Sequence, residues 1–154
     1  MIKTDKIDQA ILRELQNDGK LSNVDLADKV GLSESACLRR VKRLENDGVI
    51  DRYTAIVNAD KVGLGGTIFV RISLDSQKEA NLKRFEESVK HVDEVMECYL
   101  MSGDVDYIIR LAVRDAVDYE RIHHVLTSLP EVARVHSSFS LRTVLKRTRV
   151  PIKK

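Results

Sequence analysis

Four positive charges fall within five positions at Arg39-Arg40-Val41-Lys42-Arg43, directly after Ser33-Glu34-Ser35-Ala36. A guanidinium pairs in bidentate fashion with guanine O6 and N7, and either basic group neutralises phosphate. Hydroxyls and the free N–H groups of a helix start bind phosphate, while small residues let a helix approach a duplex closely. The candidate DNA-contacting residues are therefore Ser33, Glu34, Ser35, Ala36, Arg39, Arg40, Lys42 and Arg43. A basic helix face can also be merely solvated, so the surrounding elements have to decide. Catalysis and metal binding find no comparable constellation. His91, His123, His124 and His136 make no H-E-x-x-H or Cys/His ligand spacing, and adjacent His123 and His124 diverge on a helix. Gly63-Leu64-Gly65-Gly66 has Ile68 where a dinucleotide loop needs its last glycine, and strand-like residues follow it. No catalytic residue, metal or cofactor is expected.

The elements that must position the basic run are three helices. Ile7, Ile11 and Leu15 recur on one face with Leu12 beside them, and Lys6, Asp8, Gln9, Arg13 and Glu14 fill the other, up to a stop near Gly19. Ser22-Asn23-Val24-Asp25 has the form of a capping box, Leu26, Ala27 and Val30 form the apolar face behind it, and Gly31 is a left-handed stop. Ser33 caps a third helix with the stripe Cys37, Val41 and Leu44. Gly31-Leu32-Ser33 is the short turn of a helix-turn-helix. If that stripe faces the core, Ser35, Ala36, Arg39, Arg40 and Arg43 turn toward solvent or an edge. The β-branched and aromatic residues of 49–57 predict a strand, either a small wing or a linker. Turn residues from Asn58 to Gly66 mark a boundary.

Beyond it, Ile68, Val70, Ile72 and Leu74 alternate as a strand, Leu82, Phe85 and Val89 define a helix, and 95–101 reads as a second strand. Ser102-Gly103-Asp104-Val105 turns the chain into a third strand at Tyr107, Ile109, Leu111 and Val113. Asp115 caps a helix carrying Tyr119, Ile122, Leu126 and Leu129, and 132–145 predicts a fourth strand. The fold class is thus α+β: an N-terminal (winged) helix-turn-helix domain over 1–58 and a C-terminal ferredoxin-like βαββαβ domain over 59–154. Both helices cover one face of that sheet. The other, with Phe69 and either the Tyr99 or the Cys98 set, needs a second subunit, so a dimer is expected.

Charge is uneven although the net value is only +2. Arg142, Lys146, Arg147, Arg149, Lys153 and Lys154 close the chain with no acid after Glu131. No apolar run approaches the roughly 18 residues of a membrane span, and the charged start at Lys3, Asp5 and Lys6 is unlike a signal peptide. Cys37 and Cys98 stand apart inside apolar patterns, as reduced, packed thiols of a cytoplasmic protein do.

Ile7-Asp8-Gln9-Ala10-Ile11-Leu12, Leu32-Ser33-Glu34-Ser35, Arg40-Val41-Lys42-Arg43-Leu44-Glu45 and Gly48-Val49-Ile50 resemble the opening domain of the Lrp/AsnC (leucine-responsive and asparagine-response) regulators. Ser102-Gly103-Asp104-Val105-Asp106-Tyr107 resembles that family's Gly-Asp-x-Asp-Tyr loop. The resemblance implies a sequence-specific regulator of transcription on double-stranded DNA, built of dimers that assemble to tetramers or octamers. It also implies an amino-acid effector held between dimers by Met101, Gly103, Asp104, Asp106, Tyr107, Ser137 and Ser138. Two rivals remain at this stage: an architectural DNA-binding protein that answers to no effector, and a ferredoxin-like enzyme.

Overall fold

The computed structural model describes residues 4–152. Met1 to Lys3 lie outside them, as do Lys153 and Lys154, the last of the basic run. The chain divides into two compact units, one of residues up to Ile56 together with the stretch from Val144 onward, the other Val57–Thr143. The sequence division at 58/59 leaves that last stretch with the second domain, whereas in the structure it joins the first.

In the first unit, α1 (Lys6–Asn17), α2 (Asn23–Val30) and α3 (Glu34–Asn46) surround Ile11, Leu12, Leu26, Ala27, Cys37 and Leu44. Ser22 and Ser33 accept from the backbone N–H three residues on, capping α2 and α3 as expected. Gly31 ends α2 at φ 69°, a left-handed value that glycine adopts without a side-chain clash. The strand predicted over 49–57 does not form. Gly48 turns left-handed, and the N–H groups of Val49 and Ile50 both donate to the Leu44 carbonyl at 2.9 and 3.0 Å, closing the C-terminus of α3. Their side chains pack on the three-helix core, and no ladder partner exists for residues 51–57 among the described residues.

In the second unit, β1 (Gly66–Leu74), α4 (Glu79–Val89), β2 (Val95–Leu100), β3 (Tyr107–Val113), α5 (Ala116–Thr127) and β4 (Val132–Phe139) follow in the βαββαβ order. The sheet is antiparallel throughout, in the order β2-β3-β1-β4. Ile68, Val70, Ile72, Tyr107, Ile109, Leu111 and Val113 point to the helices and are buried against Phe85, Val89, Ile122 and Leu126. Each such side chain contributes about 1.5–3 kcal/mol relative to exposure. β4 ends at Phe139 rather than near 145, because its partner β1 runs out: the last ladder bond goes from Ser140 N–H to the Thr67 carbonyl. The chain beyond Val144 has already joined the other unit.

The face of the sheet turned from the helices carries Phe69, Arg71, Ile108, Arg110 and Tyr99, so the exposed apolar set is that of Tyr99, and Cys98 faces the helices. Burial, with Glu86 nearby, pushes the Cys98 thiol up to about 11, and burial also raises Cys37. Both thiols should therefore react with a maleimide or disulfide reagent more slowly than an exposed cysteine until the protein unfolds. Fast labelling of the native protein would contradict that packing.

Candidate nucleic-acid interface and ligand loop

The basic helix is sorted by one buried acid. Asp5 caps α1 and exchanges hydrogen bonds with Asp8 in a capping box. Asp8, assigned above to the solvent face, is fully buried beside Ile11 and Leu12. Its carboxylate draws in two of the four basic residues: Arg40 Nη1 lies 2.8 Å from Asp8 Oδ1 and 2.8 Å from Asp5 Oδ2, and Arg43 Nη2 lies 2.5 Å from Asp8 Oδ2. The backbone N–H of Asp8 and the Arg40 guanidinium hold the Asp5 carboxyl below the usual carboxylate range. Arg40 and Arg43 thus tie α3 to α1.

Because successive helical residues turn by about 100°, the positions opposite Cys37, Val41 and Leu44 are Ser35, Arg39, Lys42 and Asn46. All four are exposed, and Arg39 and Lys42 have no acidic partner among the described residues. Ser33 is occupied as the cap, Glu34 is exposed at the first turn, and Ala36 is half-buried. Asn23 Nδ2 donates to the Glu34 carbonyl at 2.9 Å, binding the start of α2 to the start of α3. The outward face is a cationic strip with a small residue at its N-terminal end, a surface that fits a major groove. Sequence reasoning missed Asn46, although it continues the spacing of Ser35, Arg39 and Lys42.

The proposed ligand residues separate into two groups. Met101 and Asp104 are exposed at the β2–β3 turn, where Gly103 has φ 134°, outside the range of ordinary side chains. Asp106 and Tyr107 are committed within the fold. The Asp106 carboxylate accepts from Leu74 N–H at 2.7 Å and from Gln77 Nε2 at 2.6 Å, while the Asp106 backbone pairs with Met101 and Ile72. Tyr107 is buried against Phe85, ring centroids 4.5 Å apart, and its hydroxyl donates to Glu86 at 2.8 Å. Burial first, and then that carboxylate, raises the phenol. Ser137 lies on the helix-covered face bonded to the Tyr119 hydroxyl, whereas Ser138 opposes Phe69 on the open face. Neighbouring strand residues point to opposite faces, so one chain does not bring these two hydroxyls into one pocket.

A helix-turn-helix with an outward cationic helix, followed by a four-stranded βαββαβ domain, defines a DNA-binding regulator of transcription rather than an enzyme. Comparison with known proteins agrees along the whole length. A family model described as winged helix-turn-helix DNA-binding matches residues 4–51, and one described as Lrp/AsnC ligand binding domain matches residues 67–150. The chain is 41% identical to the Bkd operon transcriptional regulator of Pseudomonas aeruginosa, over 99% of this chain and 100% of that one. The crystal structure of an AsnC family regulator from Agrobacterium tumefaciens superposes with a TM-score of 0.92 at 41% identity, covering 96% of this chain and 97% of that one. A Neisseria meningitidis regulator in complex with L-methionine superposes with a TM-score of 0.91 at 34% identity, covering 97% of each. The chain belongs to the Lrp/AsnC family of transcription regulators.

Proposed function

We propose that this regulator reads DNA through Ser35, Arg39, Lys42 and Asn46, assembles through the open face of its sheet, and answers to an amino acid at the tip of the β2–β3 hairpin. The observation that carries the DNA reading is the division of labour on α3: Asp8 holds Arg40 and Arg43, and Arg39 and Lys42 are left facing outward. The open face presents Phe69 at 43% and Tyr99 at 55% exposure, apolar area that a second copy would cover. A homodimer, extended to tetramers or octamers, then sets two α3 helices about one DNA turn apart. The effector class is supported by the ligand-binding description of the family domain and by the methionine bound to the Neisseria relative. A DNA-reading regulator of this kind works in the cytoplasm, a reading supported by its DNA-binding relatives.

Arg39→Ala and Lys42→Ala should each weaken binding to a selected duplex without changing melting or assembly. A lost base contact costs about 1–3 kcal/mol and relaxes preference at one position, whereas a lost phosphate contact weakens all sequences alike. Titration of wild type and variants onto the selected duplex and a shuffled one separates the two. Wild-type affinity in both variants would remove this face of α3 from the interface.

A further inference from the structure

We infer that the C-terminal tail is a second DNA-contacting element, an arm that carries Lys146 and Arg147 to the phosphate backbone beside the helix-turn-helix. The helical part of the first unit is electrically balanced: residues 1–56 hold ten basic and ten acidic side chains. A protein that binds a polyanion from a neutral unit gains little from long-range attraction. The tail changes that balance. Among its described residues, from Val144 to Ile152, it adds Lys146, Arg147 and Arg149 and no acid, and it groups with the helices rather than with the sheet. The unit at Val57–Thr143 keeps eleven basic and fourteen acidic side chains, an excess of negative charge. The net positive charge therefore lies with the unit that carries the helix-turn-helix.

The tail is docked rather than loose. Gln16 clasps the backbone of Val150 from both sides, its Oε1 accepting from Val150 N–H at 2.7 Å and its Nε2 donating to the Val150 carbonyl at 3.3 Å. Arg149 donates to Asn17 Oδ1, and Ile152 packs against the three-helix core. Gln16 and Asn17 end α1, and the cap of α2 at Ser22 comes five residues later. Asn23 in turn joins the start of α2 to the start of α3. The anchor thus sits at the C-terminal end of α1, five residues before the cap that opens the helix-turn-helix. Lys146 and Arg147 are exposed, make no ion pair among the described residues, and take no part in the docking contacts. An anchored arm loses less conformational entropy on reaching phosphate than a free one.

The test is DNA binding by the full chain across a salt series, on a duplex selected by the wild-type protein and on a shuffled duplex. Lys146→Gln with Arg147→Gln should lower affinity for both duplexes by the same factor and flatten the plot of log affinity against log salt by about 1.8, two phosphate contacts at about 0.9 each. The conservative exchange Lys146→Arg with Arg147→Lys should keep the wild-type slope, and both variants should melt as wild type. Arg39→Ala, run beside them, should lower the ratio of selected to shuffled binding. An unchanged slope in the neutralised variant overturns the arm while leaving α3 as the reader; unchanged binding by Arg39→Ala instead counts against α3 alone.

Discussion

Asp8→Ala should lower the stability of the helix-turn-helix unit by about 3 kcal/mol, the largest loss expected from any single charged residue in it. The magnitude follows from burial. Asp8 has 1% side-chain exposure and holds three donors, the Asp5 N–H and the guanidinium groups of Arg40 and Arg43. Removing one member of a buried ion pair costs about 3–5 kcal/mol because its partner is left charged and unpaired. Here the partners keep some water, Arg43 being 49% exposed and Arg40 23%, which places the expectation at the lower end. A unit of this size is stable by only roughly 3–10 kcal/mol, so the variant should be partly unfolded near physiological temperature and should lose DNA binding through unfolding. Arg40→Ala should cost less, about 1–2 kcal/mol, since Arg43 still serves Asp8. Arg39→Ala should show the opposite pattern, with melting unchanged and DNA affinity reduced. Thermal unfolding followed by helical circular dichroism, paired with DNA titration below the transition, measures both. If Asp8→Ala melts with wild type, the Asp8 cluster is not what joins α3 to α1.

The distinction between Arg39 and Arg40 was within reach of the sequence but needed a partner to be recognised. Asp8 stands three and four positions before Ile11 and Leu12, on the apolar stripe, and this spacing outweighs the usual preference of an acid for water. Once Asp8 is placed inside, two of the four cations have to follow it. The βαββαβ order was legible because period-two alternation in β1 and β3 and the cap at Asp115 are local signals. The unformed strand over 49–57 shows the limit of such signals: β-branched residues there meet the three-helix core at Val49 and Ile50 and then run on without a ladder. The tail shows another. The β-branched residues of 132–145 read as one strand although β4 stops at Phe139, and the residues after it sort by sequence with the sheet domain, whereas the long-range contact of Val150 with Gln16 ties them to the helices. Gly-Asp-x-Asp-Tyr likewise conceals two roles in one motif, since exposed Asp104 and buried Asp106 look alike until the sheet is assembled.

Those two aspartates should behave oppositely when replaced. Asp106→Ala removes the acceptor for the Leu74 N–H and for Gln77, leaving a buried donor unpaired at the end of β1. A lost bond to a charged acceptor costs about 1.5–3 kcal/mol, and the orphaned donor adds its own desolvation. About 2–4 kcal/mol of domain stability should disappear, and ligand response should fall with it because the loop loses its brace. Asp104→Ala breaks no hydrogen bond or ion pair among the described residues and should melt as wild type, yet on the proposed reading it removes a carboxylate able to take the ammonium of an amino acid. Allosteric coupling requires the ligand to prefer one assembly over another, typically by about 1–3 kcal/mol, or roughly 5- to 150-fold in affinity. Asp104→Ala should erase that factor and leave basal DNA affinity within a few-fold. The measurement is calorimetric titration with whichever of the twenty amino acids raises the wild-type melting temperature most, together with DNA binding in its presence and absence. Wild-type ligand affinity in Asp104→Ala would confine the tip of the hairpin to turning the chain and move the pocket to another surface of the sheet domain.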